Sequence, residues 1–346
     1  MWNPSPESRG TLVLATPPKW RSNAISPVEA IATNEESSLR AAPGSATVHP
    51  LEDRSQPAAR SKARVLLRAC RPRQWAKNVL VLAAPCAAGV IDQPTVALEV
   101  LGAFVVLCLV SSATYLVNDA RDVEQDRMHP RKRLRPIAAG ELSTRVAVRF
   151  AFLFAVAGLV LGTLIAPGLG VLAAGYLVLQ AAYSLWLRRI VIVDMLAIAA
   201  GFVIRALAGG VATDIYISRY FLLVTGFCAV YLVAAKRYAE LREHTGNGPA
   251  RATLKRYTPG SLRATLLISA AGAGVAYTGW AFTRPAHVAW YAMSIVPFLL
   301  WLGRYAALIG AGAGQAPEEL ILRDRTLLAL SVAWSVLFIG GVYVGH

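Results

Sequence analysis

The sequence TVALEVLGAFVVLCLVSSATYLV at residues 95–117 runs directly into NDARDVEQDRMHPRKR at residues 118–133. The first stretch is almost wholly apolar and is long enough to cross a bilayer as a helix, which takes about 20 residues. The second stretch places several acids beside lipid, where a charge is costly unless it binds a partner. This junction predicts a membrane-spanning helix that ends in a polar, ligand-binding segment.

The composition extends this prediction to the whole chain. Hydrophobic residues make up 55% of the 346 residues and charged residues only 16%, whereas a soluble domain has about 25% charged residues. We therefore expect an all-α polytopic membrane protein. About nine apolar segments approach the spanning length, at residues 76–91, 95–117, 146–166, 168–187, 190–211, 219–235, 262–282, 288–309 and 326–345.

The basic residues indicate how the chain is oriented. They concentrate in alternate connections, beginning with the one that joins the second and third apolar segments. By the positive-inside rule, these connections, the N-terminus and the segment at residues 118–133 lie in the cytoplasm. The formal net charge of +15 is spread over short loops, so membrane topology explains it better than nucleic-acid binding does.

Residues 1–62 differ in composition from the rest of the chain. They are rich in Ser, Pro, Ala and Arg and contain no long apolar run, a composition typical of disordered segments. The apolar stretch at residues 11–15 is too short for the core of a secretory signal. The sequence predicts a disordered tail over residues 1–62 and a membrane-embedded catalytic domain over residues 63–346.

The acids of the polar segment have helical spacing. Asn118, Asp122 and Asp126 are four residues apart, and Asp119 adjoins the first of them, so on a continuous helix they share one face. Like charges stacked in this way repel, and a cation relieves the repulsion. Oxygen ligands suit Mg²⁺, whose coordination is usually completed by substrate phosphates. The pattern predicts that these four residues form a magnesium site for a phosphate-bearing ligand at the membrane surface.

A basic stretch, RPRQWAKN at residues 71–78, precedes the polar segment in the chain. Trp75 and the basic side chains suit a helix that is anchored at the membrane surface. Arg73 and Lys77 are also four residues apart and would point toward the same surface as the acids. We interpret these two residues as phosphate ligands, with membrane anchoring as the alternative.

These motifs carry a family resemblance. RPRQWAKN, the NDxxDxxxD pattern at residues 118–126, KRLRPIAAGELS at residues 132–143 and YSLWLRR at residues 183–189 resemble the UbiA superfamily of intramembrane prenyltransferases, over about residues 64–346. The resemblance implies a helical bundle around a cavity that opens to lipid. It also implies cytoplasmic loops that bring Mg²⁺ to a diphosphate.

One position departs from the family pattern. Typical members carry a second aspartate-rich motif between the sixth and seventh spans, whereas this chain has AAKRYAELREH at residues 234–244. Lys236 and Arg237 stand where carboxylates are expected, so the site can hold more anionic oxygen directly, with fewer metals. With IRALAGGVAT at residues 204–213 and LRDR at residues 322–325, this variant resembles a branch that acts in actinobacterial cell-wall arabinan synthesis.

In that branch the donor is phosphoribosyl diphosphate and the acceptor is a polyprenyl (decaprenyl) phosphate in the plasma membrane. The resemblance therefore implies Mg²⁺-dependent transfer of 5-phosphoribose to the lipid phosphate. Polar side chains near the acids are then expected to line the site of the substrate phosphates. This predicted set comprises Arg73, Lys77, Lys132, Arg133, Arg135, Tyr183, Arg188, Lys236, Arg237, Tyr238 and Glu240.

Two other functional classes remain open. A second aspartate-rich motif would support ordinary prenyl transfer to an aromatic ring, and the sequence lacks one. A transporter usually places polar groups at mid-membrane on broken helices, whereas here they gather at one face. Arg205 lies inside an apolar segment; we interpret it as structurally paired, and a functional role is the alternative. Asp194 either orients a basic ligand or caps its helix. The sequence does not determine the length of the prenyl chain or the oligomeric state, and a homo-oligomer is one option.

Overall fold

The computed structural model describes residues 61–243, 256–283, 288–312 and 317–344. Residues 1–60 of the predicted tail lie outside these ranges. Within them, every regular element is helical. The helices are α1 (Lys62–Ala69), α2 (Pro72–Trp75), α3 (Ala83–Ala88), α4 (Pro94–Arg121), α5 (Val123–Met128), α6 (Thr144–Ile165), α7 (Pro167–Leu185), α8 (Val193–Ala212), α9 (Arg219–Glu243), α10 (Pro259–Phe282), α11 (Val288–Gly310), α12 (Pro317–Arg323) and α13 (Arg325–Tyr343), with 3-10 helices at Ala76–Leu82, Lys132–Leu134 and Leu187–Arg189.

Over the described residues, eight of these helices are long and apolar enough to cross a membrane. They are α4, α6, α7, α8, α9, α10, α11 and α13, and they correspond to the second through ninth predicted segments. The prediction of an all-α polytopic fold is confirmed. This chain is a multi-pass membrane protein.

The first predicted segment, residues 76–91, is not one long helix. It consists of the 3-10 helix Ala76–Leu82 followed by the short α3, which ends at Gly89 with a φ of 71°. Pro85 has no amide hydrogen, so the carbonyl of Val81 lacks its α-helical donor. That carbonyl packs instead against Gly209 of α8, where a β-carbon would overlap it. The expected count of about nine becomes eight long helices and one interrupted segment within the described ranges.

Local sequence explains where several helices begin. Pro94 and Pro167 occupy the first turns of α4 and α7, where a missing amide hydrogen removes no helical hydrogen bond. The side chain of Ser143 caps α6, and Thr258 and Ser261 form a reciprocal capping box on α10. These caps satisfy amide groups that the first turn of a helix leaves without partners.

The long helices pack through two main clusters of buried side chains. One cluster includes Leu107 of α4 and Tyr176 of α7, and it also involves α8. The other includes Tyr231 of α9, Leu262 of α10 and Tyr305 of α11. Many large apolar side chains outside these clusters are exposed, as suits helices that face lipid rather than water.

Four helix ends meet at one end of the bundle. Asn118 in the last turn of α4 accepts a hydrogen bond of 2.5 Å from Ser184 of α7. Arg237 near the end of α9 pairs with Asp194 in the first turn of α8, at 2.8 Å. We call this region, defined by Asn118, Ser184, Asp194 and Arg237, the polar end. Of the site residues predicted from the sequence, Asn118 and Arg237 belong to it and Tyr183 contacts it.

Candidate functional site

The predicted metal-binding acids lie on two helices rather than one. α4 ends at Arg121, Asp122 links it to α5 with a φ of −93° and a ψ of 15°, and Asp126 belongs to α5. The single helical face expected from the spacing is therefore broken in the middle. The side chains of Asp119 and Asp126 are only 4% and 3% exposed, whereas that of Asp122 is 27% exposed.

Two arginines pair with the buried acids, and one of them, Arg135, bridges both. Nη1 of Arg135 lies 3.0 Å from Oδ1 of Asp119 and 2.5 Å from Oδ2 of Asp126. Nη2 of Arg71 lies 2.5 Å from the same Oδ1 of Asp119, and the Nζ of Lys132 is 4.0 Å from Asp126. The like charges inferred from the sequence are thus neutralised by guanidinium groups, which form strong charge-assisted hydrogen bonds with carboxylates.

Arg71 contacts the buried Asp119, although the sequence patterns predict only membrane anchoring for it. It was assigned no phosphate role, although it begins the RPRQWAKN motif. Its backbone has a φ of 56°, in the left-handed region that few non-glycine residues adopt. That conformation ends α1 and begins α2 at Pro72. The unusual backbone is consistent with a side chain that is held at a functional position.

Asn118 and Asp122 lie at the junction of α4 with the end of α7. Asn118 accepts the hydrogen bond from Ser184. Oδ1 of Asp122 is 3.1 Å from Nε of Arg121, and its Oδ2 is 3.9 Å from Nη1 of Arg188. Asp122 is therefore the most accessible of the three aspartates, and a cation beside it would be close to the basic group of Arg188.

The donor set at this junction suits Mg²⁺ chemically. In the described part of the chain, no three His, Cys, Asp or Glu side chains gather into a metal cage. Mg²⁺ rarely uses such a cage; it takes one or two carboxylates and completes its shell with water and substrate phosphates. The carboxylate of Asp122 and the amide oxygen of Asn118 are oxygen donors of this kind, and they could form part of such a shell.

The residues predicted to bind phosphate within AAKRYAELREH, at residues 234–244, have different surroundings. Arg237 is buried between two acids: its Nε is 3.0 Å from Asp194, and its Nη1 is 2.7 Å from Glu240. Lys236 is exposed on another side of α9. Tyr238 is buried, and its hydroxyl accepts a hydrogen bond of 2.9 Å from Arg263. The structure does not bring these three side chains together, and it pairs the guanidinium of Arg237 with two carboxylates.

Asp194 connects this ion pair to α7. Its Oδ1 accepts a hydrogen bond of 2.8 Å from the hydroxyl of Tyr183. Nearby, Ile192 has a φ of 71°, and its N–H donates to the hydroxyl of Tyr257 at 3.0 Å. Burial raises the pKa of Tyr257, and this hydrogen bond opposes the rise. Asp194 thus orients a basic side chain, which was one of the two roles left open by the sequence.

The remaining predicted phosphate ligands, Arg73, Arg133 and Lys77, differ in how far they are exposed. Arg73 and Arg133 are exposed. Lys77 is half-buried, and its Nζ donates to Gln74 at 2.7 Å. Lys77 also lines a cavity of about 120 Å³ that reaches Tyr183. Of the two residues assigned from the RPRQWAKN motif, Lys77 therefore faces the interior of the bundle and Arg73 faces outward.

The fold and the polar end define a class of protein: a helical membrane protein whose acids and arginines converge at one end of the bundle. The model of the UbiA prenyltransferase family matches residues 79–323. The chain belongs to that family. The resemblance inferred from the sequence motifs is confirmed.

Curated relatives agree with this assignment. The chain is 45% identical over 285 residues to the decaprenyl-phosphate phosphoribosyltransferase of Mycolicibacterium smegmatis, a match that covers 78% of this chain and 89% of the relative. It is 44% identical over 286 residues to the protein of the same name from Mycobacterium tuberculosis, which covers 81% and 94%. The Corynebacterium glutamicum protein of that name is 41% identical, with 81% and 87% covered.

Solved structures agree at the level of the fold. A UbiA homologue from Archaeoglobus fulgidus bound to GPP and Mg²⁺ superposes with a TM-score of 0.62 at 16% sequence identity, covering 81% of this chain and 98% of that one. A digeranylgeranylglyceryl phosphate synthase superposes with a TM-score of 0.59 at 17% identity, covering 82% and 99%. At such identities the likeness shows a common fold.

Proposed function

We propose that this protein transfers 5-phosphoribose from phosphoribosyl diphosphate to a polyprenyl phosphate such as decaprenyl phosphate. The observation that carries the proposal is the buried Arg237, enclosed by Asp194 and Glu240 where a second cluster of metal-binding acids is expected in a prenyl-transferring site. Relatives named for this reaction are 41–45% identical to the chain, which supports these substrates.

The reaction replaces one bond to carbon 1 of the ribose by another. The bond from carbon 1 to the diphosphate oxygen breaks, and the diphosphate leaves with the electron pair. An oxygen of the lipid phosphate forms the new bond, which gives polyprenylphosphoryl-5-phosphoribose. A phosphate monoester has a second pKa of about 6, so its oxygen is already ionised at neutral pH. The reaction therefore needs no strong general base.

The chain's own residues would share the anionic charge of the two substrates. When bound beside Asn118 and Asp122, Mg²⁺ supplies charge stabilisation to the leaving diphosphate. Arg188, 3.9 Å from Asp122, would reach the same oxygens. Lys132 and Arg133, both exposed close to the acids in the chain, would contribute further hydrogen bonds to phosphate.

The buried acids would then have a positioning role. Asp119 and Asp126 hold the guanidinium of Arg135, and Asp119 also holds that of Arg71. Because these two guanidinium groups are already held in place, less side-chain entropy is lost when they bind phosphate. In the same way, Arg237 would act by fixing Asp194, and through it the hydroxyl of Tyr183.

The orientation follows from the same proposal. The polar end would face the cytoplasm of a plasma-membrane protein, because the basic loops lie on that side and a soluble phosphoribosyl donor is available there. The lipid acceptor would enter from the bilayer. The product would serve cell-wall arabinan synthesis, as the sequence resemblance implies.

A direct assay tests the proposed reaction. Purified protein in detergent is supplied with Mg²⁺, phosphoribosyl diphosphate and a polyprenyl phosphate, and the lipid products are measured by mass spectrometry. We expect a phosphoribosyl lipid and diphosphate in equal amounts, and no product when EDTA removes the metal. A parallel reaction contains a prenyl diphosphate with hydroxybenzoate. Prenylated hydroxybenzoate from this second mixture, without phosphoribosyl lipid from the first, would reject the proposal in favour of ordinary prenyl transfer.

A further inference from the structure

Arg205 is a buried cation within a membrane-spanning helix. Its side chain belongs to α8 and is only 5% exposed. At 1.5 Å per residue, it lies about 18 Å along the helix axis from Val193, well inside an apolar layer that is about 30 Å thick. An ionisable residue at such a depth is costly to bury and usually has a function.

The partners of Arg205 are all neutral. Its Nε donates to Asn78 at 2.8 Å, its Nη1 to the carbonyl of Gly201 at 2.7 Å, and its Nη2 to the hydroxyl of Tyr176 at 2.8 Å. Among the described residues, no carboxylate forms an ion pair with it. The structural pairing favoured by the sequence therefore consists of hydrogen bonds without a counter-charge. A buried charge of this kind is stabilised most by an anion.

The guanidinium of Arg205 borders the 120 Å³ cavity that Lys77 also lines. The other polar residues on its wall are three tyrosines and Gln180, and none of its lining residues is acidic. The hydroxyl hydrogen of Tyr183 is used by Asp194, which leaves Tyr115 and Tyr176 as possible hydroxyl donors. Two cations with these donors around one space favour a small anion rich in oxygen acceptors. The volume admits several water molecules and hence a phosphate group.

Residues on the cavity wall contact the polar end and the acids beside it. Tyr183 lines it and also donates to Asp194. Tyr115 lines it too, and the guanidinium of Arg71 lies 5.1 Å from the centre of the Tyr115 ring. The cavity therefore reaches the neighbourhood of the acids from the interior of the bundle.

We propose that Arg205, with Lys77 and Tyr115, binds a phosphate monoester in this cavity. The inference rests on the proposed function, because both substrates of that reaction carry such a group: the donor has a 5-phosphate and the lipid has its terminal phosphate. Anchoring either phosphate on the interior side would align that substrate beneath the metal site before transfer. Arg205 is then a substrate-binding residue.

Binding measurements without Mg²⁺ test this inference independently of turnover. The probes are ribose 5-phosphate and a polyprenyl monophosphate, titrated separately into purified full-length protein in detergent by calorimetry. We expect Arg205→Gln to raise the dissociation constant of at least one probe by about tenfold to a hundredfold, the effect of losing a charge-assisted hydrogen bond. Tyr115→Phe removes one neutral hydrogen bond and should raise it by about threefold to tenfold.

The two probes identify the source of the phosphate. A weaker affinity for ribose 5-phosphate alone assigns the cavity to the donor, and a weaker affinity for the lipid alone assigns it to the acceptor. Arg219→Gln is the control, because its guanidinium also lies over a tyrosine ring, that of Tyr220 at 5.2 Å, but does not line the cavity. Its affinities should equal those of the wild type.

Unchanged affinities for both probes in Arg205→Gln and Tyr115→Phe would overturn the inference. If Arg205→Gln does not fold, Tyr115→Phe decides alone, since it leaves the hydrogen bonds of Arg205 intact. Arg205-dependent binding in a protein that lacks transfer activity would overturn only the proposed function. Transfer activity with unchanged affinities in the variants would overturn only the role of Arg205.

Discussion

Arg237→Ala should destabilise the fold, because it leaves a buried acid without its counter-charge. The side chains of Arg237, Asp194 and Glu240 are 4%, 1% and 13% exposed, and the charged atoms lie 2.7–3.0 Å apart. Without the guanidinium, the hydroxyl of Tyr183 is the one side-chain partner that Asp194 keeps within the described residues. Removing one member of a buried ion pair costs about 3–5 kcal/mol, so the free energy of unfolding should fall by that amount.

The assay is denaturant-induced unfolding of purified protein in mixed micelles. Arg304→Ala is the matched control, because Arg304 pairs with Asp324 at 2.7 Å but is 41% exposed, and an exposed pair contributes about 0–1 kcal/mol. Asp194→Asn combined with Arg237→Ala removes both charges of the Arg237–Asp194 pair and leaves Glu240 in place. The double variant should regain stability relative to the sum of the single changes, with a coupling energy of about 0.5–3 kcal/mol.

A different result would show that Arg237 binds substrate directly. If Arg237→Ala loses less than about 1 kcal/mol of stability and its transfer rate falls sharply, the ion pair is not its main role. Lys236→Ala provides the comparison on the neighbouring residue, since Lys236 is exposed. It should keep the stability of the wild type and lower the transfer rate about tenfold to a hundredfold if it holds a phosphate oxygen.

Three further predictions concern the metal site, the tail and helix packing. Asp122→Ala should lower the transfer rate by more than tenfold, about 1.4 kcal/mol of barrier, without a change in stability. Glu124→Ala is the control: it changes an exposed acid that is paired with an arginine, and it should leave the rate intact. Equal rates in both variants would remove Asp122 from the metal site. Deleting residues 1–60 should preserve specific activity, because their composition offers no core, and a loss in a well-expressed truncation would contradict this. Gly209→Ala should destabilise the fold by about 1–3 kcal/mol, because the added carbon overlaps the backbone carbonyl of Val81 in the interrupted segment. In the control Gly226→Ala, the added carbon meets nothing within 4 Å, so the free energy of unfolding should not fall.

Local patterns in the sequence were sufficient for the fold class. Spanning length and hydropathy predicted the eight long helices that the structure contains in its described residues, because each helix satisfies its own backbone groups in lipid. The same patterns failed for residues 76–91. There Pro85 and the close packing of the Val81 carbonyl against Gly209 of α8 interrupt the helix. A hydropathy pattern contains no information about either effect.

The site divides along the same line. Helical spacing and motif resemblance located the acids at residues 118–126 and the basic loops around them, since these features are local in the chain. The pairings that give each charge its role came only from the tertiary structure: Arg71 with Asp119, and Arg237 with Asp194. These partners are far apart in sequence and meet only where helix ends converge. Spacing can predict that a charge needs a partner, but only packing in three dimensions decides which partner it meets.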